Sequence, residues 1–400
     1  MRVAPLLLSV LAAACATAVG SSSAVAVPIP GPPVAPAVGA ESASSGSGLG
    51  SRQVAAASVS AAGVAAALPS SSGFDRIAGS NRYTAAVNVS KASVCAPTKT
   101  CEGKLGGSKD PVDIVFVASG ATYPDALGAG PLAYGLGPLL LVPGTGTVPT
   151  AVTAEIQRIK PKFIVVIGGT ATVSLSVERQ LAKLATEGTD RIEGANRYAV
   201  AAQVARHNDK LWRASDDDED GTPDNKGIST VVLASGQIFS DALGGGAAAA
   251  NSRGALLLTR SSSLPDDTKA ALAELKPGKV IIVGGTSTVS SAVVKQVQGV
   301  LPGASVKRAA GANRYEAAVA LSKQVFTSAE SVFLVSGKKF PDALSSAPLA
   351  GLAGGPTLLT SGACVTSSTR TEASRVGPTY VVTIGGTASV SDKAARLGVC

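Results

Sequence analysis

The strings RIAGSNRYTAA, RIEGANRYAVA and RAAGANRYEAA begin at Arg76, Arg191 and Arg308, and they decide the fold because they are three versions of one motif. Each is followed by a second shared string, which is VFVASGATYPDALGAG, VVLASGQIFSDALGGG or VFLVSGKKFPDALSSA. Each copy then has a short apolar run and closes on VVIGGTATVS, IIVGGTSTVS or VVTIGGTASVS. Such self-similarity predicts one structural unit used three times.

The spacing inside the copies supports this interpretation. In every copy, 43 positions separate the aspartate of the second string from the first glycine of the closing string. The distance from the NRY asparagine to that aspartate is 44, 45 and 29 positions, so the first two copies carry an insertion of about fifteen residues. We expect these insertions to form surface loops.

Hydrophobic periodicity predicts the fold class within each copy. In the first copy, apolar runs at 114–117, 139–142 and 163–167 indicate buried strands. Helical patterns lie between and after them, including 149–159 and 174–184. Strands that are apolar throughout and alternate with helices predict an α/β fold with parallel sheets covered on both faces. The short RIxG segment is a candidate fourth strand.

The remaining boundaries follow from composition. Met1-Arg2 and the apolar stretch 6–19, followed by two small-x-small sites, predict a secretory signal peptide rather than a membrane span. Cys15 leaves lipidation open as an alternative. The predicted organisation is a signal peptide at 1–26, a low-complexity linker at 27–72, and repeats at 73–187, 188–304 and 305–400.

The charge of the chain favours anionic partners. The formal net charge is +8 and the isoelectric point is near 9.3. The lysines and arginines are scattered singly, without the aromatic interleaving of single-strand binders, so nucleic acid is not an expected partner. No segment after the signal peptide is a long enough apolar run to cross a bilayer.

Four cysteines remain outside the signal region, and four cysteines allow three pairings. Cys95 and Cys101 bracket a short loop and form the local pair, which leaves Cys364 with Cys400. Four free thiols are the alternative, although an exported chain favours disulfides.

The three motif sets resemble the bacterial cell-wall-binding repeat type 2 family over residues 75–400. The resemblance implies an exported or surface protein of a Gram-positive bacterium, with three Toprim-like α/β repeats around a pseudo-threefold axis in one monomer. It also implies non-covalent binding to an anionic wall polysaccharide or a teichoic-acid-like polymer.

Four polar positions recur in every repeat and are the candidate polymer-binding residues. They are Asn81, Arg82, Ser119 and Asp125, then Asn196, Arg197, Ser235 and Asp241, then Asn313, Arg314, Ser336 and Asp342. The arginines could hold a phosphate or carboxylate in bidentate fashion, or could pair with the aspartates to lock the module. The aspartates follow a strand and precede a helix, so a first-turn acid that complements the helix dipole is the favoured structural interpretation. The glycine pairs at 168–169, 284–285 and 385–386 could cradle an anion or form a tight turn.

The insertion of the second repeat contains DxDxDGxxD, with Asp216, Asp218, Asp220 and Asp224 at alternating positions around a glycine. This pattern is similar to calcium-binding loops and predicts calcium as the one candidate cofactor. Gly227 stands where an EF-hand has its bidentate glutamate, so a complete EF-hand is not present. A solvated acidic loop is the alternative.

The chain contains a single histidine, His207, and it occurs in only one repeat. A chemistry repeated three times therefore cannot use histidine as its general acid or base. We predict a non-catalytic protein of the cell wall or cell surface. A wall hydrolase of the amidase type and a self-assembling surface-layer component are the alternatives.

Overall fold

The computed structural model describes residues 73–94, 112–122, 124–215, 225–339 and 341–400. The predicted signal peptide and linker lie outside the described residues. The predicted Cys95–Cys101 pair and the calcium-binding aspartates lie outside them as well.

Twelve strands and fifteen helices form three similar modules in the described part of the chain. The first module contains α1 (Arg82–Ser93), β2 (Ile114–Ser119), α2 (Pro124–Leu127), α3 (Ala129–Ala133), β3 (Leu139–Val142), α4 (Thr150–Ile159), β4 (Phe163–Ile167), α5 (Leu175–Ala182) and β5 (Gly188–Ile192). The second contains α6 (Arg197–Ala214), β6 (Thr230–Ser235), α7 (Phe239–Ala242), α8 (Gly245–Ala250), β7 (Gly254–Thr259), α9 (Asp266–Leu275), β8 (Lys279–Val283), α10 (Ser291–Val300) and β9 (Ser305–Ala309). The third contains α11 (Arg314–Val325), β10 (Ser331–Ser336), α12 (Pro341–Leu344), α13 (Ser346–Leu352), β11 (Thr357–Thr360), α14 (Ser367–Val376), β12 (Tyr380–Ile384), α15 (Asp392–Ala395) and the N-terminal strand β1 (Phe74–Ile77).

Each module has one four-stranded parallel sheet. The strand orders are β3-β2-β4-β5, β7-β6-β8-β9 and β11-β10-β12-β1, so the three sheets share one topology. The two central strands of the first sheet are buried along their whole length because helices cover both faces. The predicted α/β fold with three repeated parallel-sheet modules is confirmed.

The fourth strand of every sheet contains the RIxG segment, which reads RAAG in the third repeat, and in the first two sheets it belongs to the repeat that follows in the sequence. β5 and β9 begin the second and third repeats, yet they pair with β4 and β8 of the preceding modules. The N-terminal β1 pairs in parallel with β12 near the C-terminus, with Phe74 opposite Val381. The three modules therefore form a ring that closes through strand pairing between the two ends of the described chain.

Small residues bring the three modules together at the pseudo-threefold axis, where α3, α8 and α13 pack against one another. A Cβ added at Gly130 would lie 2.6 Å from the Cβ of Ala347, and one added at Gly246 would lie 2.7 Å from it. Real side chains do not approach so closely, so these glycines set the spacing of the helices. Leu127, Leu243 and Leu344 line a small apolar cavity on the axis.

The arginine of each RIxG segment fastens the fourth strand to its sheet. Arg191 donates to the carbonyls of Gly168 and Val173 at 2.6 and 2.9 Å and pairs with Glu178 at 2.7 Å. Arg76 makes the corresponding bonds to Gly385 and Val390 at 2.7 and 2.8 Å. These contacts tie the motif to the closing string of the preceding module. This role of the arginines was not predicted, because their partners are distant in the sequence.

Arg308, the corresponding arginine of the second sheet, is less completely bonded. Its Nη1 donates to the Gly284 carbonyl at 2.7 Å, whereas its buried Nη2 has no hydrogen-bond partner in the described part of the chain. Val294 stands at the position that Glu178 occupies in the first module.

A disulfide joins Cys364 to Cys400, with the two Cα atoms 5.1 Å apart. It lies beside a parallel bridge between Val365 and Val399, so it holds the C-terminal residues against the end of β11. The predicted pairing of these two cysteines is confirmed. Within the ranges described above, no helix combines the length and apolar character needed to span a membrane.

The unequal bonding of these arginines leads to a stability prediction. Arg191→Met removes three hydrogen bonds and leaves Glu178 unpaired, so we expect a loss of about 2–4 kcal/mol in the free energy of unfolding. Arg308→Met removes one observed bond together with an unsatisfied buried nitrogen, so we expect a loss of about 1 kcal/mol or less. Urea unfolding followed by circular dichroism measures both. Equal losses in the two variants would contradict this account of the fourth strand.

Candidate functional site

The recurring polar residues meet where consecutive modules join, at the carboxyl ends of the strands. We call these places seams. The first seam brings Asp125 near Arg197, the second brings Asp241 near Arg314, and the third brings Asp342 near Arg82. Each seam therefore combines the aspartate of one module with the NRY motif of the next, because the intervening RIxG strand crosses between modules.

Each aspartate lies in the first turn of a short helix and packs against the glycine pair of its own module. Asp125 and Asp241 are only 7% and 8% exposed. Burial raises the pKa of both carboxyl groups, and hydrogen bonds from Thr172 and Thr288 partly oppose that effect. Burial also raises the pKa of Asp342, with Ser389 as the hydroxyl partner.

The glycine pair leaves room for this carboxylate. Gly168 has φ +112, and a Cβ added there would lie 2.6 Å from an Asp125 carboxylate oxygen. Gly284 and Gly385 have the same backbone conformation, with φ +107 and +121. The conformation and the close approach both require glycine, which is the tight-turn interpretation of the sequence.

The asparagines cap helices. Asn81 Oδ1 accepts hydrogen bonds from the backbone N–H groups of Tyr83 and Thr84, both at 3.0 Å, and Asn196 and Asn313 cap α6 and α11 in the same way. Such a cap satisfies N–H groups that the helix leaves unpaired. All three asparagines remain exposed at the seams.

The arginines of the NRY motif bind a carbonyl of their own module. Arg197 Nη1 donates to the Gly236 carbonyl at 2.5 Å and Arg314 Nη1 to the Gly337 carbonyl at 2.6 Å, while Arg82 makes the same bond to Gly120. All three guanidinium groups are partly exposed. Each also lowers the pKa of the aspartate from the preceding module, so it neutralises part of the buried charge across the seam.

The serines are buried turn residues. Ser119, Ser235 and Ser336 are 2%, 1% and 1% exposed. Ser119 Oγ accepts from the N–H of Ala121 at 3.2 Å, and Ser336 Oγ accepts from the N–H of Lys338 at the same distance. Of the twelve predicted binding residues, the asparagines and arginines therefore reach solvent, whereas the serines are enclosed beneath the seam.

His207 lies on α6 away from the seam residues. Burial and the nearby Lys210 lower its pKa to about 4, so the imidazole is neutral at physiological pH. Its Nδ1 atom is buried without a hydrogen-bond partner among the described residues.

The raised pKa of Asp241 gives a prediction for the pH dependence of stability. The folded protein retains a proton that the unfolded chain releases near pH 4, so the contribution of this carboxyl group to the free energy of unfolding falls as pH rises through the folded pKa. Asn cannot titrate. The stability of Asp241→Asn minus that of the parent protein should therefore increase from pH 4 to pH 7, as measured by urea unfolding.

The matched control for this measurement is Asp266→Asn, which changes an exposed carboxylate on α9 of the same module. It measures how the loss of an exposed carboxylate from this module affects stability over the same range, and the increase expected for Asp241→Asn is taken relative to it. A difference for Asp241→Asn that decreases with pH would contradict the assignment of a desolvated carboxylate.

The fold and the seams define a class of protein: a ring of three repeated α/β binding modules whose shared residues lie between the modules. The family described as Cell wall binding domain 2 matches residues 76–178, 191–294 and 308–395. The chain belongs to this family, and membership makes it a cell-wall-binding protein. The resemblance to the cell-wall-binding repeat type 2 family is confirmed.

Two curated relatives come from Bacillus subtilis (strain 168). The chain is 27% identical over 321 residues to "N-acetylmuramoyl-L-alanine amidase LytC", which covers 80% of this chain and 57% of that protein. It is also 27% identical over 276 residues to "Amidase enhancer", which covers 69% of this chain and 33% of that protein. The chain thus spans between a third and somewhat over half of these relatives.

The fold is also similar to two solved structures, Cwp6 and Cwp8 from Clostridium difficile. The TM-scores are 0.68 and 0.66, with 23% identity in both cases. Each match covers 81% of this chain, and the chain spans 48% of Cwp6 and 51% of Cwp8. At this level of identity the likeness concerns the fold.

Proposed function

We propose that this protein is exported and binds the bacterial cell wall non-covalently and without catalysis, through three repeats that recognise an anionic wall polymer. The observation that carries the proposal is the recurrence of one partly exposed arginine at three seams of a ring whose repeats belong to a wall-binding family. The distribution of these sites suits a polymer because a repeating ligand can engage several of them at once.

Charge supports the anionic character of the ligand. The net charge of +8 attracts polyanions over a Debye length, and a guanidinium group suits phosphate and carboxylate oxygens in particular. Each exposed seam also presents the N-terminus of a long helix beside its arginine, where the helix dipole favours negative charge.

The repetition supports strong binding from weak contacts. Once one seam holds the polymer, the other two encounter further segments of it at high effective concentration, so the overall affinity exceeds that of a single site. The ring keeps the three seams in a fixed arrangement, which reduces the conformational entropy lost on binding.

The chemistry of the repeated residues supports a binding role. The buried serines accept hydrogen bonds within their own turns, and the aspartates pack against the glycine pairs. The single histidine is neutral and belongs to one repeat only. The second candidate function is wall hydrolysis, because one relative is named an amidase. Mass spectrometry of purified walls incubated with the protein distinguishes the two, since released wall fragments would support hydrolysis.

Binding to purified Gram-positive cell walls tests the proposal directly. We expect the protein to sediment with intact walls and to remain in solution after the anionic polymers have been extracted, because the attraction is electrostatic. Raising the salt concentration from about 0.05 to 0.5 M should weaken binding at least tenfold, since screening shortens the reach of the charges. Equal sedimentation with intact and extracted walls would defeat the anionic-polymer assignment.

We propose in addition that Asp216, Asp218, Asp220 and Asp224 bind calcium, as the DxDxDGxxD pattern indicates. Calorimetric titration should give one site with a dissociation constant of roughly 10⁻⁴–10⁻³ M, the range of extracellular calcium modules. Asp216→Asn/Asp218→Asn should abolish the heat of binding. The control Asp266→Asn/Asp267→Asn removes two neighbouring carboxylates of the same repeat and should leave it intact. Calcium binding unchanged by the first pair would contradict the assignment.

A further inference from the structure

The three seams are alike in backbone, but the loop that precedes the aspartate is basic only in the third module. The loop between the strand and the aspartate carries Lys338 and Lys339 in the third module. The corresponding exposed positions are Ala121 and Thr122 in the first module and Gln237 and Ile238 in the second.

Lys339 lies at the third seam itself. Lys339 Nζ donates to the carbonyl of Ala388 at 3.0 Å, so its ammonium group is held against the turn that follows the glycine pair. Lys339 and Arg82 both lower the pKa of Asp342, whereas among the described residues a single arginine is the cation that lowers the pKa of Asp125 or of Asp241. Lys339 of the third module and Arg82 of the first module therefore lie near the same carboxylate, that of Asp342.

The acidic residues are distributed in the opposite sense. Glu193 lies at the first seam, where a Cβ added to Gly169 would be 4.0 Å from its carboxylate. Glu316 lies at the second seam and accepts a hydrogen bond from the N–H of Ala312 at 2.8 Å. The corresponding positions at the third seam are Ala78 and Thr84. The helix that begins there, α1, has no acidic residue in its first turn, a feature it shares with α6 and not with α11, so its dipole is not offset locally.

From these differences we infer that the third seam is the principal anion-binding seam and takes a phosphate or carboxylate group of the wall polymer between Lys338, Lys339 and Arg82. This inference rests on the proposed function. A guanidinium group supplies planar, directional hydrogen bonds, and the ammonium groups supply compact charge that follows a flexible ligand.

Binding at this seam also acts on the closure of the ring. The third seam is the one where the last module meets the first, and the strand that joins them, β1, comes from the other end of the described chain. An anion held by residues of both modules binds the closed ring and not the open one, so it stabilises the pairing of β1 with β12.

The test compares Lys338→Ala/Lys339→Ala with a control of the same net charge, Lys183→Ala/Lys295→Ala, which removes two exposed lysines from α10 and the end of α5. Binding to purified Gram-positive walls at roughly 0.1 M salt should weaken at least tenfold in the seam variant and less than threefold in the control. Because all four lysines are exposed, both variants should keep the circular dichroism spectrum of the parent protein.

Three outcomes separate the inference from the proposed function. If the parent protein binds walls and both variants weaken equally, the third seam has no special role and the inference is wrong, while wall binding stands. If the parent protein does not bind walls, the proposed function itself is wrong. If the seam variant alone weakens, parallel assays on phosphate-depleted and carboxyl-reduced walls identify which anionic group the seam takes. Slower hydrogen exchange in residues 74–77 on adding walls to the parent protein, absent in the seam variant, would support the coupling to ring closure.

Discussion

The whole arrangement depends on one constraint: every sheet takes its fourth strand from the next repeat around the ring. A three-stranded sheet would leave β4, β8 or β12 as an unpaired edge, which is a liability in a soluble fold. Pairing with the following RIxG strand covers that edge and, at the same time, joins two modules through backbone hydrogen bonds. In the third module β1 supplies the strand, and the ring closes. Each family match begins within this crossing strand. The strand that opens a sequence repeat therefore completes the sheet of another module.

The same crossing explains why the shared polar residues meet at the seams. The helix that begins at each NRY motif follows directly on the crossing strand, so its N-terminus starts at the carboxyl edge of the preceding sheet. That edge is where parallel α/β sheets bring loops and helix N-termini together and where they place ligands. The asparagine then caps the helix, the arginine reaches back to the carbonyl of its own module, and its charge faces the aspartate of the other. Arg197, for example, therefore binds the Gly236 carbonyl of its own module and is still partly exposed to solvent.

The repeat, the parallel sheets and the fourth strand could be predicted from the sequence, because periodicity and fixed spacing are local properties. The Cys364–Cys400 bond could be predicted because so few cysteines are available. The sequence could not predict which sheet each fourth strand joins, because no feature around Arg76 or Arg191 indicates that sheet. For the same reason, the pairing of Asp125 with the arginine of the following repeat was not visible. The burial of Ser119 was also hidden, because a serine after a strand is equally compatible with a ligand contact and with a turn.

The third module, where the ring closes, has a less favourable core than the first module. Its core contains buried hydroxyl groups that have no hydrogen-bond partner among the described residues: Ser322, Ser331, Ser345, Thr357 and Thr383. Each such group costs about 1–3 kcal/mol relative to a satisfied one. The first module has Ile114 and Val166 at the positions of Ser331 and Thr383 and avoids this cost.

The closing strand itself buries the Asp75 carboxyl group, whose pKa burial raises. The least favourable core thus coincides with the one sheet completed by a distant segment, and the Cys364–Cys400 bond and the Arg76 contacts lie in this same module. At the third seam the crossing strand β1 and its partner β12 are far apart in the sequence, whereas β5 and β9 follow directly on the modules whose sheets they complete. Contacts that bridge the two modules at the third seam therefore contribute more to the integrity of the ring than equivalent contacts at the other two seams.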